Sequence, residues 1–199
     1  MRISAFSDLH RDLDAARAVV DASEGADVLL GAGDYGTRGE GTRELLDVLA
    51  TARCPLVLVW GNHDDVADVR NCASTHEHVH VLHGSGVEIG GRKFFGLGGE
   101  TPIRNDADWN FGVGDDEARA LLAGCPGGAF LLTHNPPLGH ADEQRDGSHE
   151  GSAAILGAIQ RSLPPLHMCG HIHNAWGRSS AIGVTAVHNI GPTAVPFHV

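Results

Sequence analysis

The chain has 199 residues, the size of one ordinary domain, and we expect a single domain over residues 1–199. Apolar residues make up 42% and charged residues 20%, which is typical of a globular rather than a disordered protein. The apolar runs are much shorter than the roughly 20 residues of a membrane-spanning helix, so we expect no membrane partner. A net charge of −11 disfavours binding to nucleic acid.

The N-terminal residues and the cysteines indicate the compartment. No apolar leader segment is visible at the start of the sequence, and the four cysteines are widely spaced without a C-x-x-C pair. We therefore expect a cytoplasmic protein with four reduced, mostly buried thiols rather than a disulfide scaffold.

Strand and helix patterns alternate in the first half of the chain. Short apolar runs predict strands, and apolar residues at helical spacing predict helices between them. In order, these elements are strand 2–7, helix 12–23 capped by Asp12, strand 26–31, helix 41–52 and strand 55–60. Such alternation favours a parallel sheet with right-handed crossovers.

The second half has shorter strands and longer loops. Gly90-Gly91 between two apolar segments predicts a tight hairpin. The predicted strands are 79–82, 87–89, 93–97, 129–133, 166–169 and, as the last strand, 184–188. The predicted helices are 115–122 and 152–161, and the predicted loops are 98–114 and 135–150. Together the two halves predict two sheets with flanking helices.

Asp, His and Asn side chains follow five of the predicted strands where each strand ends. They are Asp8 and His10, Asp34, Asn62 and His63, His134, and His171 and His173. The carboxyl ends of parallel strands form the ligand crevice of an open α/β sheet. We therefore expect these side chains to meet at one edge of the fold.

This set of side chains is typical of a metal site. Without His63, the set has two Asp, four His and one Asn, which are suitable ligands for divalent first-row metals. Seven ligands exceed the needs of one ion but suit two ions about 3.5–4 Å apart. Mn, Fe, Zn, Co and Ni all accept such ligands, and we favour Mn.

The strand-end motifs resemble, in order and spacing, those of the calcineurin-like metallophosphoesterase superfamily. The motifs are Asp8-Leu-His10, Gly33-Asp34, Gly61-Asn62-His63-Asp64, His134 and Gly170-His171-Ile-His173. The likeness extends from Asp8 to Asn189. It implies a four-layer α/β/β/α sandwich with two mixed sheets and a dinuclear site at one edge.

The resemblance also implies a role for each motif residue. Asp8, His10 and His173 would hold the first metal, while Asn62, His134 and His171 would hold the second. Asp34 would bridge the two ions. His63 would be the catalytic acid that assists the leaving group while a metal-activated hydroxide attacks phosphorus.

Two positions depart from the superfamily pattern. Thr37 stands where protein Ser/Thr phosphatases of the superfamily have an Asp that orients the catalytic His, which argues against a protein phosphatase. Asp64 or Asp65 could orient His63 instead. Arg11 stands where many members have Gly, and it could contact a phosphate or form a surface salt bridge.

Two segments resemble a subgroup of small phosphoesterases related to the brain 239 protein. They are residues 133–152, which include Asp142 and His149, and residues 108–111. Some relatives hydrolyse cyclic nucleotides and other diesters. His149 could touch substrate or be an ordinary loop residue. Trp109 and Phe111 could stack on a nucleobase or pack beneath the loop.

Four further histidines occur in the segment 76–83, with the sequence HEHVHVLH. Their alternation favours a solvated strand face over a third metal site.

The leading hypothesis is therefore a metal-dependent phosphoesterase. Its substrate would be a small phosphodiester, cyclic nucleotides included, or a phosphomonoester. The alternatives are a non-catalytic metal-binding scaffold on the same fold and a nuclease, and the acidic composition argues against the nuclease.

Overall fold

Strands and helices alternate along the computed structural model, which describes residues 1–199. In chain order the elements are β1 (Arg2–Phe6), α1 (Leu13–Ala22), β2 (Val28–Gly31), α2 (Thr42–Leu49), β3 (Leu56–Leu58), α3 (Val66–Thr75), β4 (Val79–Val81), β5 (Ser85–Ile89), β6 (Arg92–Leu97), α4 (Asp115–Leu122), β7 (Phe130–Thr133), α5 (Ala153–Ser162), β8 (Leu166–Cys169), β9 (Ser179–Ile182), β10 (Thr185–Asn189) and β11 (Val195–His198). A short 3₁₀ turn, His173–Ala175, follows β8.

The strands form two mixed sheets. The first has the order β11-β1-β2-β3-β4, in which β1 to β4 are parallel and β11 is an antiparallel edge strand. The second has the order β5-β6-β7-β8-β10-β9, with antiparallel strands β5 and β9 at its edges. The predicted α/β fold with two mixed sheets is confirmed.

Three apolar layers hold the sheets and helices together. Alternate residues of a strand point to opposite faces, so Leu29 packs toward the helices α1, α2 and α3, while Leu30 packs toward the second sheet. In the second sheet, Leu132 faces the first sheet and Leu131 faces α4 and α5. Because both faces of each sheet are covered, the central strands are continuous apolar runs rather than alternating ones.

Three elements were not predicted from the sequence: α3, β9 and β11. Helix α3 has few large apolar residues, but Asp65 caps it by accepting from the N–H groups of Ala67 and Asp68. The prediction that 184–188 is the last strand was wrong, because β11 follows it and pairs with β1. Pro196 obscures β11 in the sequence, although proline is tolerated on an edge strand.

The cysteines agree with the expectation of four buried thiols. Each cysteine is free and buried. None of the helices has the length and apolar character needed to cross a membrane.

The Asp65 cap of α3 can be tested by substitution. Asp65→Ala removes the acceptor of two helix N–H groups, and we expect it to lower the free energy of unfolding by about 1 kcal/mol. Asp21→Ala, at an exposed position in α1, is the matched control and should change it much less. Denaturant unfolding monitored by circular dichroism measures both, and equal losses would contradict the capping role.

Candidate metal centre

The carboxyl ends of five parallel strands from both sheets meet at one edge of the fold. The loops after β1, β2 and β3 come from the first sheet, and those after β7 and β8 come from the second. Main-chain hydrogen bonds join them: His10 N donates to Asp34 O at 3.0 Å, and Gly170 N donates to His134 O at 2.9 Å. The structure thereby brings together all the strand-end residues that the sequence singled out, while their ligand roles stay predictions.

Asp8, His10 and His173 form the first candidate ligand group, since their donor atoms lie within 4.8 Å of one another. The Nε2 atoms of His10 and His173 are 3.2 Å apart. Trp176 supports this group in two ways. Its Nε1 donates to Asp8 Oδ2 at 3.1 Å, and its ring packs against the His173 ring with a centroid separation of 4.2 Å.

The predicted second group, Asn62, His134 and His171, also converges. His134 Nε2 lies 3.0 Å from Asn62 Oδ1 and 3.2 Å from His171 Nδ1. Asp34 lies between the two groups, with Oδ2 3.6 Å from His10 Nε2 and Oδ1 3.5 Å from His134 Nε2. Asp34 thus lies close to a histidine of each group, and its bridging role stays a prediction.

The charges at this edge fit divalent cations. The carboxylates of Asp8, Asp34, Asp64 and Glu100 are only 2–4% exposed, and no lysine or arginine pairs with any of them. An unpaired buried charge is costly. Burial accordingly raises the pKa of the Asp34 carboxyl to about 8, against the opposing attraction of His134. A bound cation would keep this carboxylate ionised.

Four of the candidate ligands have left-handed backbone conformations. The φ angles of Asp8, His10, Asp34 and His171 are 55°, 45°, 56° and 68°. Such conformations are unfavourable for residues other than glycine and occur preferentially at functional sites.

Glycines allow the ligand loops to approach closely. A Cβ atom on Gly61 would collide with the Asp34 carboxylate and its backbone N, and one on Gly170 would collide with Asp8 and Ser7. Their lack of a side chain is therefore a packing requirement of the site.

Asp64 and Asp65 do not orient His63, although both were considered for this role. Asp64 accepts from the backbone N–H groups of Asp34, Gly36 and Gly61 at 2.7–2.9 Å. It therefore ties the Asp34 loop to the loop after β3. Asp65 caps α3.

His63 is oriented instead by Arg38 and Trp109. The Arg38 backbone N–H donates to His63 Nδ1 at 3.1 Å, so in this arrangement the ring hydrogen is on Nε2. Trp109 stacks on the imidazole, with centroids 4.5 Å apart and planes at 24°. Burial, reinforced by the nearby histidines and Arg38, lowers the pKa of His63 to about 4.

The sequence did not reveal the contact between Trp109 and His63. It offered nucleobase stacking or packing beneath the loop for both Trp109 and Phe111. In the structure Trp109 covers His63, while Phe111 packs edge-on against Trp60 at a centroid distance of 5.5 Å. The residue pattern contains no signal for the first contact, because the two residues are far apart in the chain.

Arg11 lies beside the centre. Its Nη1 is 3.0 Å from Glu40 Oε2, so the surface salt bridge considered from the sequence is present. The pair belongs to an open cavity of about 580 Å³ lined by His10, Arg11, Thr37, Arg38, Glu40, His63 and His173. Because Arg11 lines this cavity, its contact with a substrate phosphate stays a prediction.

His149 has its partner outside the candidate ligand groups. Its Nδ1 lies 2.7 Å from Asp142 Oδ1, and the side chain is half-exposed in the loop after β7. The buried Asp142 also accepts from the N–H groups of Gly139 and Gly151. The observed role of His149 is thus within its own loop, and its substrate contact stays a prediction.

The segment 76–83 contains no candidate metal group. Its histidines are half-buried rather than fully solvated. His78 Nε2 lies 3.1 Å from the Ala50 carbonyl oxygen, and His83 stacks on Trp60. These rings therefore take part in packing.

Comparison with known families agrees with this geometry. A family model described as the calcineurin-like phosphoesterase superfamily domain matches residues 1–198. The chain belongs to this superfamily.

Curated relatives of this phosphoesterase domain occur in Caenorhabditis elegans. UPF0046 protein K07C11.7 is 27% identical over 206 residues, covering 89% of this chain and 65% of the relative. UPF0046 protein T07D4.2 is 46% identical over 48 residues, covering 24% of this chain and 12% of the relative. The chain thus spans less than two thirds of the length of either protein. These relatives are consistent with the predicted subgroup.

Solved structures show the same fold at low sequence identity. The protein TT1561 of Thermus thermophilus is 19% identical with a TM-score of 0.77, covering 96% of this chain and 88% of that one. A dimetal phosphatase from Danio rerio is 13% identical with a TM-score of 0.64, at the same two coverages. A novel archaeal phosphodiesterase is 17% identical with a TM-score of 0.57, covering 97% and 84%.

The close approach at Gly61 predicts a specific defect in Gly61→Ala. The added methyl group should displace Asp34, lowering the free energy of unfolding by about 1–3 kcal/mol and weakening metal binding. Gly157→Ala is the control, since its Cβ meets open space on α5. Thermal unfolding and metal analysis after dialysis give the two readouts. Normal metal content in Gly61→Ala would refute the packing requirement.

The His149–Asp142 pair predicts a pH-dependent contact. The hydrogen bond and charge of Asp142 raise the pKa of His149 above its ordinary value of 6.5. Because the folded-state pKa is raised, the pair stabilises the fold below that ordinary value, and the contribution is lost as the pH rises through the raised pKa. An NMR titration of His149 should show the raised pKa.

Asp142→Asn should return the pKa of His149 toward its ordinary value. Asp146→Asn is the matched control, because Asp146 lies in the same loop but bonds only to Ser148. An unchanged His149 pKa in Asp142→Asn would contradict the assignment.

Proposed function

We propose that this protein is a metal-dependent phosphoesterase that hydrolyses a small phosphodiester, cyclic nucleotides included, or a phosphomonoester. The observation that carries the proposal is the convergence of Asp8, His10, Asp34, Asn62, His134, His171 and His173 beside His63 at an open cavity. The dimetal phosphatase and the phosphodiesterase among the structural neighbours support the same reaction class.

Two divalent ions are the cofactor that this donor set fits. Bound there, they would supply a hydroxide nucleophile near neutral pH and neutralise charge on the phosphoryl oxygens. Asp8, His10 and His173 would hold one ion, while Asn62, His134 and His171 would hold the other. Asp34 would contact both. Manganese is our preferred metal for reconstitution, since this mixed oxygen and nitrogen set accepts several first-row ions.

His63 would act on the substrate directly. With Nδ1 occupied by the Arg38 N–H, the Nε2–H is the group available to a substrate oxygen. His63 lies on the cavity beside His10, with a centroid separation of 5.2 Å. From there its Nε2–H would donate a hydrogen bond to the leaving-group oxygen and stabilise the charge that develops on that oxygen.

The charge distribution favours a small phosphoester over a nucleic acid. Outside the centre the chain is acidic, with a net charge of −11, which repels a polyanion. Arg11 and Arg38 are the basic side chains of the cavity, and they lie next to the candidate ligands His10 and His173. The free, buried thiols support a reducing compartment such as the cytoplasm.

Hydrolysis of two reporter esters tests the proposal. Metal-stripped protein should gain activity on bis(p-nitrophenyl) phosphate or p-nitrophenyl phosphate when Mn²⁺ is restored. His63→Ala should retain metal but lose turnover by about 10²–10³-fold, because a hydrogen-bond donor to the developing charge on the leaving group is absent. Diester turnover would define a phosphodiesterase, and monoester turnover alone would define a phosphatase.

A matched control is His140→Ala, which lies at a loop position outside the candidate centre and contacts Ser180. It should leave turnover unchanged. Full activity in His63→Ala would refute the role of His63. Two bound metals without turnover of either ester would favour the non-catalytic scaffold.

A further inference from the structure

Side chains of the loop after β6 connect two candidate ligands of the second metal. The connection runs from His171 to Glu100, from Glu100 to Asn110, and from Asn110 to Asn62. We infer that Glu100 and Asn110 are positioning residues that set the affinity of the second metal site. This inference rests on the proposed function, because it takes Asn62 and His171 as ligands.

Glu100 is a buried carboxylate whose two oxygens have different partners. The residue is 3% exposed. Oε1 lies 3.6 Å from His171 Nε2. Oε2 accepts from Asn110 Nδ2 at 2.8 Å and from the Arg104 backbone N–H at 3.1 Å. No lysine or arginine pairs with Glu100. The balancing positive charge would come from the second metal, which His171 would bind.

The two ring nitrogens of His171 face different groups. Nδ1 lies 3.2 Å from His134 Nε2, at the place where the second group converges, and Nε2 faces Glu100. This geometry assigns Nδ1 as the ligand atom and Nε2–H as the group directed at the carboxylate. A carboxylate behind a ligating histidine fixes its tautomer and makes it a stronger ligand.

Asn110 fixes the orientation of the Asn62 amide. Asn62 Nδ2 donates to Asn110 Oδ1 at 2.8 Å, which leaves Asn62 Oδ1 facing His134 Nε2 at 3.0 Å. Asn110 Oδ1 can only accept, so it selects the amide nitrogen of Asn62 and turns the oxygen toward the metal position. A reversed amide would direct its NH₂ group at the cation.

The loop itself is held in place by main-chain hydrogen bonds. Phe111 N donates to Asn62 O at 3.0 Å, and Glu100 N donates to Phe111 O at 2.9 Å. These bonds fix the relay, meaning the connection His171–Glu100–Asn110–Asn62, to the backbone of Asn62. The first group depends on different support, since Trp176 holds Asp8 and His173. Loss of the relay should therefore weaken one metal and spare the other.

Stepwise metal binding tests the relay. Metal-free wild type and the variants Glu100→Gln and Asn110→Ala would be titrated with Mn²⁺ by calorimetry. The same proteins would be titrated with Co²⁺, whose visible absorption reports the ligand geometry. We expect each variant to bind one ion as wild type does and the other about 10–100-fold more weakly, with an altered Co²⁺ spectrum for the weaker ion.

The controls are Glu44→Gln and Asn71→Ala, which change exposed side chains of α2 and α3. Circular dichroism and thermal unfolding of the metal-free proteins establish that each variant folds. If Glu100→Gln does not fold, Asn110→Ala provides the test, because Asn110 is only half-buried.

Two results would overturn the inference. One is wild-type affinity for both ions in the folded variants, and the other is equal weakening of both ions. Failure of the wild type to bind two ions is a different result, because it contradicts the proposed function itself.

Discussion

Burial of carboxylates without basic partners constrains every loop at the candidate metal centre. Asp8, Asp34, Asp64 and Glu100 are almost fully buried at one sheet edge, and no lysine or arginine pairs with them. Hydrogen-bond donors, histidines or bound cations must therefore offset such charges. Asp64 accepts from backbone N–H groups, whereas Asp8 and Asp34 also lie close to histidine nitrogens of the two candidate ligand groups. The same cations would allow an acidic protein to bind an anionic phosphoester.

The backbone is arranged around that constraint. Asp8, His10, Asp34 and His171 have left-handed φ angles, which are unfavourable individually. They persist because neighbouring loops hold them through hydrogen bonds, such as His171 N to both Asp8 carboxylate oxygens at 3.1 Å. Gly61 and Gly170 allow the loops to come close enough for these bonds. Strain at the centre is therefore offset by the packing of two sheets whose strands end at the same edge.

The segment between β6 and α4 contacts both His63 and two candidate metal ligands. Trp109 holds the ring of His63, while Glu100 and Asn110 contact the candidate ligands His171 and Asn62. One loop thus positions His63, which would contact the substrate, and two residues that would hold the second metal. A change of this loop in a relative would alter both together.

The sequence by itself determined the strand-end motifs and the α/β fold with two mixed sheets. Continuous apolar runs indicate strands that are covered on both faces. The polar residues that follow Phe6, Gly31, Thr133 and Cys169 indicate the edge of the fold where those strands end. Helix α3 and strand β9 were not predicted because they contain few large apolar residues, and β11 was not predicted because Pro196 interrupts it. Only the tertiary structure decided that Arg38 orients His63 and that Glu100 and Asn110 support the ligands. These contacts join irregular loops that are distant in the chain, and no local periodicity encodes such pairings.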